Sequence, residues 1–246
     1  MSSAVSKVEQ VKLRFGQAES YVDRWRYNIR IRAETVKDFV GSEKFHRILD
    51  VGCGDGSISL PLLTQENQLT LLDLSSGMLS SARAKIPAAL SENVRLINQD
   101  IVRAELEPYG YDLILCLGVL AHVDSPAAVV GRLAGLLSPG GTILLEATDC
   151  QHFWSYMLKA YDRILDQVKP TDYTLNTHSV RDVLGMFAQH GLRPVSSFRY
   201  SYSPPGMQRL FSQDSIYALI RLIYGRYPRM RNAWLGNECI FHLKVT

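Results

Sequence analysis

A short segment around three closely spaced glycines limits what this chain can fold into. Ile48–Val51 is an apolar, β-branched run, which is typical of a buried strand. It stops at Gly52, Gly54 and Gly56, and residues without a Cβ allow a sharp turn and the close approach of a ligand. A helix is predicted from about Ser57 to Leu63, so that N–H groups of the loop and the helix N-terminus point to one place. The segment predicts a nucleotide-binding turn.

Three later apolar runs predict further strands of a parallel sheet. One run, from Leu69 to Leu74, carries Asp73 near its end, another runs from Val94 to Asp100, and the third is Tyr111–Cys116. An acid at the end of the second strand is placed to bind ribose hydroxyls. The glycine spacing is Gly-x-Gly-x-Gly, which differs from the Gly-x-Gly-x-x-Gly of dinucleotide-binding proteins.

The composition excludes several classes of protein. A length of 246 residues suits one α/β domain with additions. The net charge of +3 is too mild to indicate a nucleic-acid partner. The four cysteines are far apart and lack zinc-ligand spacing, so we expect no metal. We see no apolar signal-peptide core and no run of the roughly 18 apolar residues that a spanning helix needs, and we therefore expect a cytoplasmic location.

The ordered motifs between Arg47 and Thr148 resemble those of class I S-adenosylmethionine (SAM)-dependent methyltransferases of the small-molecule type. The resemblance implies an α/β, Rossmann-like doubly wound fold with a mostly parallel seven-stranded sheet and an antiparallel last strand. It also implies N-terminal helices and a helical insertion before that strand. We expect residues 1–40 to form a helical cap, residues 41–246 to form the SAM-binding domain, and residues 203–238 to form the insertion, which can serve as a lid or a docking element.

The same resemblance implies a set of residues that bind SAM and its product, S-adenosylhomocysteine (SAH). Asp73 would hold the ribose, Asp100 the adenine amino group, and Met78 the adenine face. From the residues alone, Met78 can equally be a core residue and Asp100 a turn or N-cap residue. The implied cofactor-binding residues are Asp50, Gly52, Cys53, Gly54, Gly56, Asp73, Leu74, Met78, Asp100, Ile101 and Leu117.

Two histidines are candidate general bases. His122 lies just after the fourth predicted strand, where the methyl acceptor is expected, and an imidazole has an unperturbed pKa of about 6.5. The alternative is that His122 only positions its loop. His178 lies in a loop before a helix capped by Ser179, and it can be an ordinary polar residue there.

Aromatic side chains in two regions are candidates for the acceptor pocket. Tyr21 and Trp25 lie on a predicted N-terminal helix; the alternative is that they pack this helix onto the domain. His152, Trp154 and Tyr156 belong to an aromatic cluster on a second predicted helix, which hints at a planar or apolar acceptor.

The segment 203–238 combines arginines with a helical apolar stripe formed by Ile216, Leu219, Ile220 and Ile223. Such a segment can dock on an anionic membrane through residues 209–231, cap a pocket, form a dimer face or bind an anionic group of the acceptor. A packed helix with a solvated basic rim is the simpler alternative.

These features together predict methyl transfer from SAM to a small-molecule acceptor by in-line displacement, with oxygen as the expected acceptor atom. The alternatives are an N- or C-methyltransferase of a small molecule, or a binding protein that keeps the fold without methylating. We expect a monomer or homodimer without nucleic acid, since a basic aromatic platform is missing.

Overall fold

The protein is built around a seven-stranded sheet with the strand order β3-β2-β1-β4-β5-β7-β6. The structure, a computed structural model, describes residues 18–157, 160, 178–204 and 206–246, with side chains described from residue 22 onward. The strands are β1 (Arg47–Val51), β2 (Gln68–Leu72), β3 (Val94–Ile97), β4 (Tyr111–Cys116), β5 (Leu137–Thr148), β6 (Leu192–Tyr200) and β7 (Glu238–Val245).

Strands β1 to β5 are parallel to one another, and β7 runs antiparallel between β5 and β6. The predicted fold class, with its antiparallel last strand, is therefore confirmed. The order changes direction at β1, which has β2 on one side and β4 on the other. Such a switch point opens a crevice at the carboxyl ends of the strands.

Six helices accompany the sheet in the described part of the chain, together with a helical stretch at 153–157 and short 3-10 turns. Serine N-caps fix where four of them begin, because the Ser75, Ser125, Ser179 and Ser212 hydroxyls accept backbone N–H groups; the cap at Ser179 was predicted. The helices are α1 (Ala18–Val40), α2 (Ser76–Lys85), α3 (Pro126–Leu136), α4 (Val180–Gln189), α5 (Met207–Leu210) and α6 (Gln213–Tyr224).

The helix predicted from Ser57 to Leu63 is wrong. Turns follow the glycines, and only Leu60–Leu62 forms a 3-10 helix. Pro61 explains the failure because it has no N–H to donate to the carbonyl of Ser57, so α-helical bonding stops after the first bond, from the Leu60 N–H to the Gly56 carbonyl at 2.9 Å. The loop is instead organised by Asp55, whose carboxylate accepts the Ser57 N–H at 3.2 Å and its hydroxyl at 2.8 Å.

Two apolar cores cover the two faces of the sheet. One contains Val129 and Leu133 of α3 and Val183 and Phe187 of α4. The other contains side chains from α1, α2 and α6. The arrangement is three layers, helix, sheet and helix, and α1 belongs to the same layer as the insertion helix α6.

Helix α1 is tied to the insertion by polar contacts. Glu34 accepts hydrogen bonds from the Tyr217 hydroxyl at 2.6 Å and from Arg221 at 3.0 Å. Arg226 donates two hydrogen bonds to Asp38, at 2.6 and 3.0 Å. The helix kinks at Trp25. No described helix is both long and apolar enough to cross a membrane.

A buried ion pair joins α1 to the centre of the sheet. The Arg32 guanidinium lies 2.5 Å from a carboxylate oxygen of Glu146 on β5, and both side chains are buried. The Tyr200 hydroxyl lies 2.7 Å from the other Glu146 oxygen and 2.7 Å from Asn28. Removing one partner of a buried pair is costly because the remaining charge keeps its desolvation penalty.

We therefore predict that Arg32→Met lowers the free energy of unfolding by about 3–5 kcal/mol, because it leaves the Glu146 carboxylate buried without its cation. The double variant Arg32→Met/Glu146→Leu should recover most of the loss. Urea denaturation measures both values. As a matched control, Asp23→Ala breaks the exposed Asp23–Arg26 pair and should cost less than about 1 kcal/mol. Equal losses from the buried and the exposed pair would contradict the prediction.

Candidate functional site

A cleft opens at the switch point of the sheet, where the chain leaves the carboxyl ends of four strands. Residues after β1, β2, β3 and β4 line it, and Val22, Ile29 and Arg32 of α1 close one side. The cleft measures ≈ 980 Å³ including its mouth, which is in the range of about 300–1,000 Å³ found for small-ligand sites. Of the predicted site residues, it brings together Gly52, Cys53, Gly54, Asp73, Leu74, Met78, Asp100, Ile101, Leu117 and His122.

The Asp73 carboxylate fixes the glycine loop at the floor of the cleft. One oxygen accepts the Gly54 N–H at 2.8 Å, and the other accepts the Ser75 N–H at 2.8 Å. Burial raises the pKa of Asp73, and the backbone N–H groups that it accepts oppose that rise. Each oxygen keeps a lone pair for a hydroxyl group of a ligand.

Two glycines are required by close approaches around the cleft. Gly52 has a positive φ of 68°, and a Cβ there would overlap Val119. Gly118 has a φ of 72°, and a Cβ there would lie 2.7 Å from Arg32 Nη2. The Arg32 guanidinium therefore packs directly onto the backbone that follows β4.

Asp50 is buried behind the glycine loop and does not line the cleft. Burial, the largest cause, and the nearby carboxylates Asp73 and Asp55 together raise its pKa to about 7, while the Ser59 hydroxyl opposes the rise. The Asp50 Oδ2 atom has no hydrogen-bond partner among the described residues. An unsatisfied acceptor beneath the loop suits a positively charged donor such as an ammonium group.

The far end of the cleft combines apolar walls with one acid. Met78 is buried, with its sulfur 4.0 Å from the position that a Cβ on Gly54 would occupy. Asp100 both lines the cleft and organises a turn, since its Oδ1 accepts the Val102 N–H at 2.8 Å. Asp100 therefore has the turn role that was one alternative, and because it also lies on the cleft its adenine role stays a prediction.

The structure separates two other residues of the glycine loop, Gly56 and Cys53, which were both predicted to bind the cofactor. Gly56 does not line the cleft; a Cβ on it would lie 2.7 Å from Leu60, so its small size serves packing. Cys53 does line the cleft, but burial raises the pKa of its thiol well above the ordinary value. The thiol therefore stays protonated and is a wall of the cleft rather than a nucleophile.

The two candidate histidines separate in the structure. His122 lies on the cleft, at the end of the 3-10 helix Leu120–His122. His178 lies beyond it, where its carbonyl accepts the Cys150 N–H at 2.9 Å beside the end of β5. Only His122 is therefore in place to exchange a proton with a molecule in the cleft.

The aromatic candidates for the acceptor pocket whose side chains are described do not line the cleft. The Trp25 ring lies 6.2 Å from that of Tyr27 and 5.9 Å from that of Tyr202, as expected for the packing alternative. Tyr21 lies outside the residues whose side chains are described.

The second group of aromatics lies beyond the end of β5. His152 makes a 2.8 Å contact with the Trp234 carbonyl. Trp154 packs against Phe153, with ring centroids 5.7 Å apart. Tyr156 is exposed to solvent.

Arg32 is the residue that sequence reasoning missed. It is a cation in the cleft wall, held by Glu146 at 2.5 Å and by the Tyr202 hydroxyl at 2.8 Å. The available signal was its position three residues after Ile29, on the apolar side of a predicted amphipathic helix. Among the described residues, no cluster of three or more His, Cys, Asp or Glu side chains could hold a metal ion.

Comparisons with known sequences point to one kind of domain. Residues 49–143 match a family model described as a methyltransferase domain. An uncharacterized methyltransferase of Mycobacterium tuberculosis is 30% identical over 117 residues, which cover 48% of this chain and 58% of that protein. A ubiquinone biosynthesis O-methyltransferase of Bordetella bronchiseptica is 27% identical over 186 residues, covering 71% of this chain and 73% of that protein. The chain thus spans little more than half of the mycobacterial relative.

Solved structures share the fold at low sequence identity. A SAM-dependent methyltransferase of Thermotoga maritima, described as a possible histamine N-methyltransferase, has a TM-score of 0.68 at 14% identity, covering 97% of this chain and 99% of that one. Magnesium protoporphyrin IX methyltransferase of Synechocystis with bound SAH has a TM-score of 0.64 at 17% identity, covering 98% and 100%.

The raised pKa of Asp50 predicts a pH dependence of stability. The folded state keeps a proton up to a pKa of about 7, while the unfolded state releases it near about 4. Stability is therefore fully present below the unfolded pKa and falls as the pH rises through the folded one. Asp50→Asn removes this loss. The free energy of unfolding of the variant should therefore rise relative to that of the wild type by up to about 4 kcal/mol between about pH 4 and 8. Urea denaturation across pH measures it; a difference independent of pH would contradict the assignment.

Proposed function

Because the chain carries a methyltransferase domain of the class I, Rossmann-like SAM-dependent family, we propose that it transfers a methyl group from SAM to a small-molecule acceptor and releases SAH. The observation that carries the proposal is the cleft at the switch point, where the glycine loop, Asp73, Asp100 and Leu117 meet. Magnesium protoporphyrin IX methyltransferase, a neighbour in fold, has been solved with both SAM and SAH.

The residues around the glycine loop fit the charged end of this cofactor. Asp50 does not line the cleft, but its carboxyl group under the glycine loop can attract the ammonium group of the methionine part from behind the cleft wall. Arg32, the cation in the cleft wall, suits the carboxylate of that part by its positive charge. Asp73 has lone pairs for the ribose hydroxyls in addition to its two backbone bonds.

The other end of the cleft fits the adenine. Leu74, Met78 and Ile101 supply apolar walls, and methionine packs well on a flat ring because it is flexible and polarizable. The Asp100 oxygen that does not cap the turn can accept a hydrogen bond from the amino group of the base.

In this reaction the residues of the chain bind the two reactants, orient them and shield them from water. SAM supplies an electrophilic methyl group on a positively charged sulfur, and the transfer neutralises that charge. Holding two reactants in line at contact distance can lower a barrier by several kcal/mol, and the α1 residues Val22 and Ile29 restrict water on one side of the cleft. His122 lies where it can take the proton of a hydroxyl acceptor.

Oxygen is the proposed acceptor atom. Support comes from relatives named ubiquinone biosynthesis O-methyltransferase and from His122 in the cleft, because a phenol with a pKa of about 10 gains from a neighbouring base. Nitrogen or carbon acceptors are the alternatives. A protein that binds SAM without methylating would show cofactor binding with no turnover on any of the phenols, amines and carboxylates screened.

The ribose role of Asp73 leads to a direct test. Asp73→Ala should raise the SAM dissociation constant at least tenfold, since it removes a charged acceptor and frees the glycine loop. Calorimetry measures the constant, and a thermal melt confirms that the variant is folded. Asp23→Ala is the control, because Asp23 is exposed and forms only a surface pair. Asp112→Ala is unsuitable, because the Asp112 carboxylate accepts the backbone N–H groups at the start of β1. SAM binding equal to that of the wild type would reject the role.

The proton role of His122 is separable from binding. With a hydroxyl acceptor, His122→Ala should lower turnover most strongly near neutral pH and leave the SAH dissociation constant within about twofold, because the imidazole acts on the acceptor. His178→Ala is the matched control, since its side chain lies off the cleft, and it should retain turnover. If His122→Ala keeps the turnover and pH profile of the wild type, His122 is not the base.

A further inference from the structure

The insertion before β7 exposes an unusual amount of apolar surface. Of the large apolar side chains that are exposed in the described part of the chain, six lie between residues 210 and 234. Exposed apolar side chains concentrated in one segment of the chain are candidates for an interaction site. These side chains, together with three neighbouring arginines, are called the insertion face: Arg209, Leu210, Phe211, Leu219, Leu222, Arg229, Met230, Arg231 and Trp234.

Helix α6 divides the predicted apolar stripe between two sides. Ile216, Ile220 and Tyr224 are buried against the domain, whereas Leu219 and Leu222, three residues apart, are 40% and 67% exposed. Residues three apart lie on one side of a helix. The helix therefore packs one apolar side against its own domain and exposes two further leucines to solvent.

The chain on either side of α6 extends this apolar surface. Leu210 and Phe211 precede the helix and are 80% and 53% exposed. Trp234 follows it and is 71% exposed. The loop that carries Trp234 folds back on the helix end, since Arg231 donates its N–H to the Tyr224 carbonyl at 2.9 Å.

The charge around this surface is positive. Segment 206–236 contains five arginines and one acid, Asp214. Two of these arginines form ion pairs within the protein, Arg221 with Glu34 and Arg226 with Asp38.

The other three, Arg209, Arg229 and Arg231, are exposed. None of them takes part in an ion pair with another described residue. Exposed leucines and an indole flanked by such arginines complement an anionic lipid surface, where the apolar groups enter the headgroup boundary and the cations meet the phosphates.

We propose that the insertion face docks the protein on lipid bilayers that carry anionic headgroups. The surface is preformed, because Glu34 holds Tyr217 and Arg221 of α6 against α1. The side of α1 that faces the cleft carries Val22, Ile29 and Arg32. Docking thus places the wall of the cleft one helix away from the bilayer.

The test is the partition of the full-length protein onto phosphatidylcholine vesicles with or without a third of the lipid replaced by phosphatidylglycerol. We expect sedimentation with the anionic vesicles only. Each arginine near such a surface contributes about fivefold in partition, so Arg209→Glu/Arg229→Glu/Arg231→Glu should lower binding at least tenfold. Salt of about 1 M, which shortens the screening length to about 3 Å, should also weaken it.

A matched control carries the same change of net charge elsewhere on the surface. Arg83, Arg95 and Arg193 are exposed and lie outside the insertion, so the triple glutamate variant at these positions should bind within about threefold of the wild type. If both triple variants lose binding equally, the effect is one of net charge and the proposal is wrong.

Trp234 provides an independent readout of insertion. Anionic vesicles should shift the tryptophan emission of the wild type to shorter wavelength, and the shift should disappear in Trp234→Phe. Leu222→Ser should weaken binding several-fold without lowering the melting temperature, because the side chain is already exposed. The absence of vesicle binding would overturn the proposal, and so would a concentration-dependent dimer that Leu222→Ser dissolves while vesicles are ignored.

Discussion

The site depends first on one half-buried carboxylate. Asp73, immediately after β2, accepts the N–H of Gly54 from the glycine loop and the N–H of Ser75 at the start of α2. Two segments that leave neighbouring strands are thereby fixed to each other at a point shielded from water, where hydrogen bonds to a charge are strong. A loop with three glycines has many alternative conformations, and this acid selects one. A second link, between Lys85 and Asp55, closes the same loop from the other end of α2.

The charge balance of the cleft follows from contacts made over long distances in the sequence. Arg32 comes from α1 and Glu146 from β5, and they meet beside Gly118. The partners that surround them, Asn28 and Tyr200, also come from separate elements. The cation in the cleft therefore has its counter-charge, Glu146, in place before a ligand enters, and it is not left buried without a partner.

Local patterns in the sequence predicted the scaffold well. The buried strands appear as apolar runs, and Tyr111–Cys116 has the predicted bounds; the serine caps depend only on residues three positions away. Where one residue opposes a pattern, prediction failed, as with Pro61 in the expected helix. Arg32 was missed, and the alternatives for Trp25 and His178 stayed open, because the position of a side chain relative to a cleft depends on how distant elements pack. No local pattern encodes that packing.

The contacts between α1 and α6 bear on how such a protein can be recombined. Glu34 accepts hydrogen bonds from Tyr217 and Arg221, and Asp38 accepts them from Arg226. The Tyr27 hydroxyl accepts a hydrogen bond from Ser203. Two stretches at opposite ends of the chain therefore form one interlocked layer over the sheet. A chimera that takes its first helix from one parent and its insertion from another would place arginines opposite residues that do not match them. Functional grafts onto this scaffold would have to exchange both stretches as a single unit.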